Sequence, residues 1–213
     1  KIDLDSLAKR HVESWQKDGN LGFGKTTNEA IQKLADGMHW SKSGKNSNPK
    51  HGFGNGVAMK VAPIGAFRAS PLWSELWVES RAEFIDNIVK LTLMTHHTRM
   101  AVDSALAHVF AISHCLGQNF SGKDFIAGIC RWANFLLYNE VNNVTDRLSD
   151  RFAILAAIDP TSLTTKEITN LFGEGTSYVY NSLPFSYAFF LRNPHSIETL
   201  YEVGNAGGDT DTN

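Results

Sequence analysis

Apolar residues recur at helical spacing along almost the whole of this chain. Leu4, Leu7, Ala8, Val12 and Trp15 share one face of a helix that Gly19 closes. Thr26-x-x-Glu29 has the form of a capping box ahead of Ala30, Ile31 and Leu34, with Gly37 as a stop. Helical stripes then run over Glu83–Met94, Met100–Cys115, Asp124–Tyr138 and Asp146–Ile158, and Ser121 is placed to cap the third. Thr164-x-x-Glu167 predicts a shorter helix ended by Gly173, followed by helices over Leu183–Leu191 and Ser196–Glu202. No segment alternates polar and apolar residues as a hairpin would. The pattern predicts an all-α fold, one multi-helix domain over residues 1–213 without repeats.

Two stretches interrupt it. From His39 to Gly56 the chain is rich in Gly, Ser, Asn and Lys, which predicts an irregular loop of a length that usually carries function or is disordered. Its end, Gly52-Phe53-Gly54-Asn55-Gly56, runs straight into apolar residues, an arrangement that offers backbone N–H groups to a phosphate or sugar at a helix N-terminus. A tight structural turn is the alternative, since neither the dinucleotide fingerprint nor the Walker pattern is present. Pro63 is expected to limit the helix over Val57–Ala62 to a turn or two.

Composition narrows the function classes. A net charge of −2 leaves no electrostatic footprint for duplex nucleic acid or an anionic membrane surface, so neither is an expected partner. No run reaches the roughly 18 apolar residues of a membrane span, and no signal-peptide core follows Lys1. Cys115 and Cys130 fall within apolar helical patterns and read as small core residues. Together these features predict a cytoplasmic protein.

The candidate chemistry lies at the C-terminus, Gly207-Gly208-Asp209-Thr210-Asp211-Thr212-Asn213. Carboxylates one residue apart, with hydroxyls between, suit a hard cation such as Mg²⁺. A plain polar tail fits the same residues, as does the first half of a calcium loop, Asp209-x-Asp211-x-Asn213. His96 and His97, if adjacent on a helix, point about 100° apart and cannot share an ion, so one pocket and one exposed histidine are expected. His108 and His114 read as structural, and Trp73 with Trp77 as a packing seam.

Both special segments together resemble the ADP-ribosylglycohydrolases, whose members carry a GNGxAMRVAPIG-like segment and a later GGDTDT. Here Gly54-Asn55-Gly56-Val57-Ala58-Met59-Lys60-Val61-Ala62-Pro63-Ile64-Gly65 is similar to the first, with Lys60 for the usual Arg, and Gly207–Thr212 to the second. Leu93-Met94-Thr95-His96 and Ser182-Leu183-Pro184-Phe185 resemble two further family elements in the same order. The resemblance implies an all-α hydrolase that cleaves the glycosidic bond between ADP-ribose and a protein side chain or small acceptor, with two Mg²⁺ or Mn²⁺ ions as cofactor. It implies Asp209, Asp211 and Thr212 as metal ligands, and Phe53, Gly54, Asn55, Gly56, Met59 and His96 as residues that bind ADP-ribose. It assigns no catalytic acid within the chain. The family's acidic residue and remaining ligands, in a TDDT-like motif, are expected ahead of Lys1, and a closing helix beyond Asn213, so the chain reads as truncated at both ends. Gly52 stands where some arginine-directed members carry Asp, which leaves the acceptor open. A relative that binds ADP-ribose without cleaving it, or a crystallin-like structural relative, is the alternative.

Overall fold

Short polar side chains decide where many of the helices begin. The computed structural model describes residues 2–19, 22–48, 50–70, 81–117, 119–134 and 146–210. These form α1 (Leu4–Asp18), α2 (Lys25–Ala35), α3 (Trp40–Ser43), α4 (Gly56–Ala69), α5 (Arg81–Leu93), α6 (Arg99–Leu116), α7 (Gly122–Trp132) and α8 (Leu148–Ala157). A 3-10 turn at Pro160–Ser162 leads to α9 (Thr165–Phe172), α10 (Val179–Arg192) and α11 (Glu198–Asn205). Asp3 accepts from the Ser6 amide at 3.0 Å, Thr98 from Ala101 at 3.2 Å and Ser121 from Asp124 at 3.3 Å, each satisfying a first-turn donor that the helix cannot. Thr164 and Glu167 form the expected reciprocal capping box, and Gly19 and Gly173 end their helices as predicted.

The fold is all-α, with no strand among the described residues. Within them no helix is long and apolar enough to cross a membrane. Two hydrophobic clusters form the core. One is mostly aliphatic and gathers Leu4, Val57, Val61, Ile85, Ile88, Val89 and Met94. The other is aromatic, built on Phe125, Phe152, Phe172, Phe185, Tyr187 and Phe189. Helix α6 lies between them and is buried along most of its length, as a helix apolar on all sides must be. Ala101, Val102, Ala105 and Val109 face the aliphatic side, whereas Met100, Ala107 and Ala111 face the aromatic side. Helix α4 packs most heavily against α6 and so ties the glycine-rich segment to the centre of the molecule.

Four sequence expectations need correction. Thr26 and Glu29 do not cap α2, whose N-cap is Gly24 without a side-chain bond. The 39–56 segment is not wholly irregular, because α3 lies within it and Ser43 donates to the Met94 carbonyl at 2.7 Å. Pro63 does not end its helix, since α4 continues to Ala69. Pro63 is exposed, and the packing of α4 on α6 outweighs the local preference. The stripe over Asp124–Tyr138 yields a helix only to Trp132, with Ala133 as C-cap, and its last residues fall outside those described, as do Trp73 and Trp77.

Cys115 and Cys130 are free thiols, half-buried against the aromatic cluster. His114 is structural, its Nε2 at 3.2 Å from the Ser121 carbonyl. His108 is structural too, its Nδ1 at 2.8 Å from the Tyr187 hydroxyl, and burial lowers its pKa from 6.5 to about 4. The fold therefore refuses a proton that the unfolded chain accepts below about 6.5, and stability is lost as pH falls from 6.5 towards 4. Buried Asp103, raised from 3.8 to about 7, acts in the opposite sense over the same window. Denaturant unfolding at pH values of about 7 and 5 is expected to show a smaller acid-dependent loss in His108→Gln than in the parent protein. Equal losses would remove His108 from this linkage.

Candidate functional site

Segments far apart in the sequence converge on a cleft of about 1040 Å³. The glycine-rich loop forms one wall. Val179 donates its amide to the Phe53 carbonyl at 2.9 Å and Asn55 donates its own to the Ser177 carbonyl at 2.9 Å. Gly54 and Tyr178 thereby make an isolated antiparallel bridge, and the Phe53 ring meets Tyr178 edge-on at 6.1 Å. Gly52 has φ +93°, and a Cβ there would stand 2.7 Å from the Thr98 methyl. The same threonine donates its hydroxyl to the Gly52 carbonyl at 2.7 Å, so the bend that aims the loop into the cleft requires glycine. Asn55 stands at the N-cap position of α4 but makes no side-chain cap bond, which leaves the Gly56 and Val57 amides in the first turn, where a helix has no acceptor of its own.

The C-terminal acidic loop forms the facing edge. The Asp209 amide donates to the Gly175 carbonyl at 2.8 Å. Gly208 before it has φ +81°, and a Cβ there would lie 1.7 Å from the Glu174 carbonyl oxygen. Asn55, only 5% exposed, donates its side-chain amide to Asp209 Oδ2 at 2.8 Å across 154 residues. That bond joins the two motifs into one site. Among the described residues no Lys or Arg pairs with Asp209.

Buried basic groups line the floor. His96 is 3% exposed, and its Nε2 lies 3.5 Å from where a Cβ on Gly54 would stand. Burial, then the nearby Lys60 charge, lowers its pKa to about 3, so it is neutral at physiological pH. Lys60 donates to the Leu91 carbonyl at 2.8 Å and to Thr95 Oγ1 at 2.6 Å, and burial lowers its pKa to about 7. His11, brought by α1, is lowered to about 4 by burial and then by Lys60, and its buried Nε2 has no hydrogen-bond partner among the described residues.

Phe53, Gly54, Asn55, Gly56, Met59, His96 and Asp209, all singled out in the sequence, line this cleft. Asp211 and Thr212 lie outside the described residues. Among those described, no three His, Cys, Asp or Glu side chains gather in a metal-holding group. His97 is half-buried rather than exposed, because α5 ends at Leu93 and the chain turns there, with the His97 amide donating to the Gly44 carbonyl at 3.2 Å.

A family model described as ADP-ribosylglycohydrolase matches residues 1–213. The chain belongs to the ADP-ribosylglycohydrolase family. It is 27% identical over 223 residues to the uncharacterized protein YegU of Escherichia coli K12, a match covering 100% of this chain and 61% of that one. An uncharacterized protein of Archaeoglobus fulgidus is 25% identical over 213 residues, covering 99% of this chain and 61% of its own length. The ADP-ribosylhydrolase ARH3 of Xenopus tropicalis is 23% identical over 242 residues, covering 100% of this chain and 64% of its own. The chain thus spans about three-fifths of the length of the curated relatives it matches.

Several residues that shape the cleft are not singled out for it by the sequence. Thr26 accepts from the Gly52 amide at 3.3 Å, and His51 Nδ1 lies 3.3 Å from Glu29 Oε2, so the supposed capping residues brace the rim. Ser177 and Tyr178 back the glycine loop without any local pattern to announce them. Lys60 does carry a signal, as a lone charge inside the apolar run Val57–Ile64.

Proposed function

We propose that this cleft holds ADP-ribose and that the protein hydrolyses the glycosidic bond joining it to a protein side chain or small acceptor. The observation that carries this reading is the 2.8 Å bond from Asn55 to Asp209 at the edge of the cleft, which brings together two motifs that the family pattern pairs. The first-turn amides of α4 and the positive end of its helix dipole suit the diphosphate. His96, neutral and beside the loop, suits a hydrogen bond to the same ligand. Phe53 and Tyr178 supply apolar surface at the cleft wall.

Asp209 also fits a metal site. It is half-buried, one of its oxygens is oriented by an uncharged amide, and no basic side chain among the described residues neutralises it. With Asp211 and Thr212 it offers only hard oxygen donors, the set that Mg²⁺ or Mn²⁺ takes. When bound, such ions supply Lewis-acid polarisation and an activated water. The chain's own contribution is to orient Asp209 through Asn55 and Gly175 and to hold the substrate on the α4 amides.

Incubating the protein with Arg-linked, Ser-linked and acetyl-linked ADP-ribose is expected to release free ADP-ribose from at least one, with Mg²⁺ required and EDTA inhibitory. Tight ADP-ribose binding with no release from any of the three would replace the hydrolase by a binding protein. Absence of binding would end both readings.

A further inference from the structure

The floor of the cleft contains a hydrogen-bonded chain whose direction can be worked out atom by atom. Lys60 Nζ lies 2.6 Å from Thr95 Oγ1, and Thr95 Oγ1 lies 2.9 Å from His96 Nδ1. An ammonium group has three donors and no lone pair, so at the first contact Lys60 donates and Thr95 accepts. A threonine hydroxyl carries one proton, and among the described residues the only other polar atom within hydrogen-bond distance of Thr95 Oγ1 is His96 Nδ1, so this buried proton has an acceptor only there. That proton goes to Nδ1. A neutral imidazole that accepts at Nδ1 carries its proton on Nε2, and Nε2 is the nitrogen facing the Gly54–Gly56 loop.

We propose that Lys60 is a positioning residue that acts through Thr95 to hold His96 as the neutral Nε2–H tautomer, a preset hydrogen-bond donor aimed into the cleft. The reading of the cleft as an ADP-ribose site gives this donor its object, an acceptor oxygen of the ligand. The tautomer itself belongs to the free protein. A neutral donor would suit a site whose acidic loop also held metal ions, because it recognises an oxygen without adding a further cation there. The second anchor of Lys60, the Leu91 carbonyl at 2.8 Å, keeps its ammonium from swinging into the cleft to meet an anion directly. The low values of His96, about 3, and of Lys60, about 7, agree with a neutral ring beside a charge that is costly to bury.

The test is nitrogen-15 NMR of the imidazoles in the ligand-free protein at a pH of about 6, above the His96 value and below that of Lys60. His96 is assigned by the loss of its signals in His96→Asn. A protonated Nε2 with an unprotonated Nδ1 is the expected signature. The reverse tautomer, or an imidazolium, would overturn the proposal in the parent protein without any variant. Lys60→Met should convert the single tautomer to a mixture, because the ammonium that occupies one Thr95 lone pair and repels a proton on Nδ1 is then gone, and Lys60→Arg should restore it by donating at the same place with the same charge. An unchanged tautomer in a folded Lys60→Met would assign the ordering to something other than Lys60. Because these readouts need no ligand, they are independent of whether the cleft binds ADP-ribose. A protein with the predicted tautomer and no ADP-ribose binding would retain the relay and lose only its proposed object.

Discussion

Asp209→Asn is expected to lower ADP-ribosyl hydrolysis by at least about 100-fold, the scale at which loss of a metal-orienting carboxylate disables such chemistry. The substitution keeps size and shape but removes the charge. It also sets the Asn55 amide against a neutral group that offers one oxygen where the carboxylate offered two. The fold should be indifferent, since Asp209 belongs to neither hydrophobic cluster. Isothermal calorimetry should therefore show weakened Mg²⁺ binding at an unchanged melting temperature. Undiminished Mg²⁺ affinity would remove Asp209 from the proposed site.

Gly208→Ala is expected to damage the same site by a different route. The backbone at Gly208 has φ +81°, and the added methyl would meet the Glu174 oxygen at 1.7 Å and the Gly175 oxygen at 2.5 Å, both backbone atoms. Neither can retreat as a side chain can. The acidic loop must lift, which breaks the 2.8 Å bond from Asp209 to Gly175 and moves the carboxylate away from Asn55. Gly208 is exposed, so the lift relieves most of the strain and stability should fall by only about 1–2 kcal/mol. Mg²⁺ and ADP-ribose affinity should fall by about 10-fold or more, because a misplacement near 1 Å is costly at a reacting centre. Gly204→Ala is the control, since a Cβ there meets nothing within 4 Å. Similar binding losses in both variants would mean that the loop position does not matter.

The helices were legible in the sequence wherever their causes are local. Thr164 and Glu167 lie three residues apart and satisfy each other, so the pattern alone determines the cap. Thr26 and Glu29 have the same spacing, yet one serves Gly52, 26 residues away, and the other His51, 22 residues away. A local pattern cannot report a competitor that arrives through the fold. Pro63 errs in the same direction, because the contact of α4 with α6 decides the outcome and no property of the proline reveals it. The site shows a similar division. Its motifs were visible as glycine-rich and acidic strings and by their likeness to a family, whereas the relation of Asn55 to Asp209 depends on how α10 and α11 return the chain to α4. Lys60 is marked in the sequence as a substitution for Arg and as a lone charge in an apolar run, but the burial of its ammonium follows from the packing around it.

The span of 154 residues between Asn55 and Asp209 also orders events during synthesis. The buried members of the aliphatic cluster all lie between Leu4 and Val109, so they can pack before Asp209 has been synthesised. At roughly 5–20 residues per second, the hundred or so residues that follow take on the order of ten seconds to appear. Through that interval the nascent protein has its glycine loop but no partner for it. The cleft is thus completed only when Asp209 emerges, long after the aliphatic cluster, and an abortive product that stops short of Asp209 would keep that cluster without the paired loops of the site.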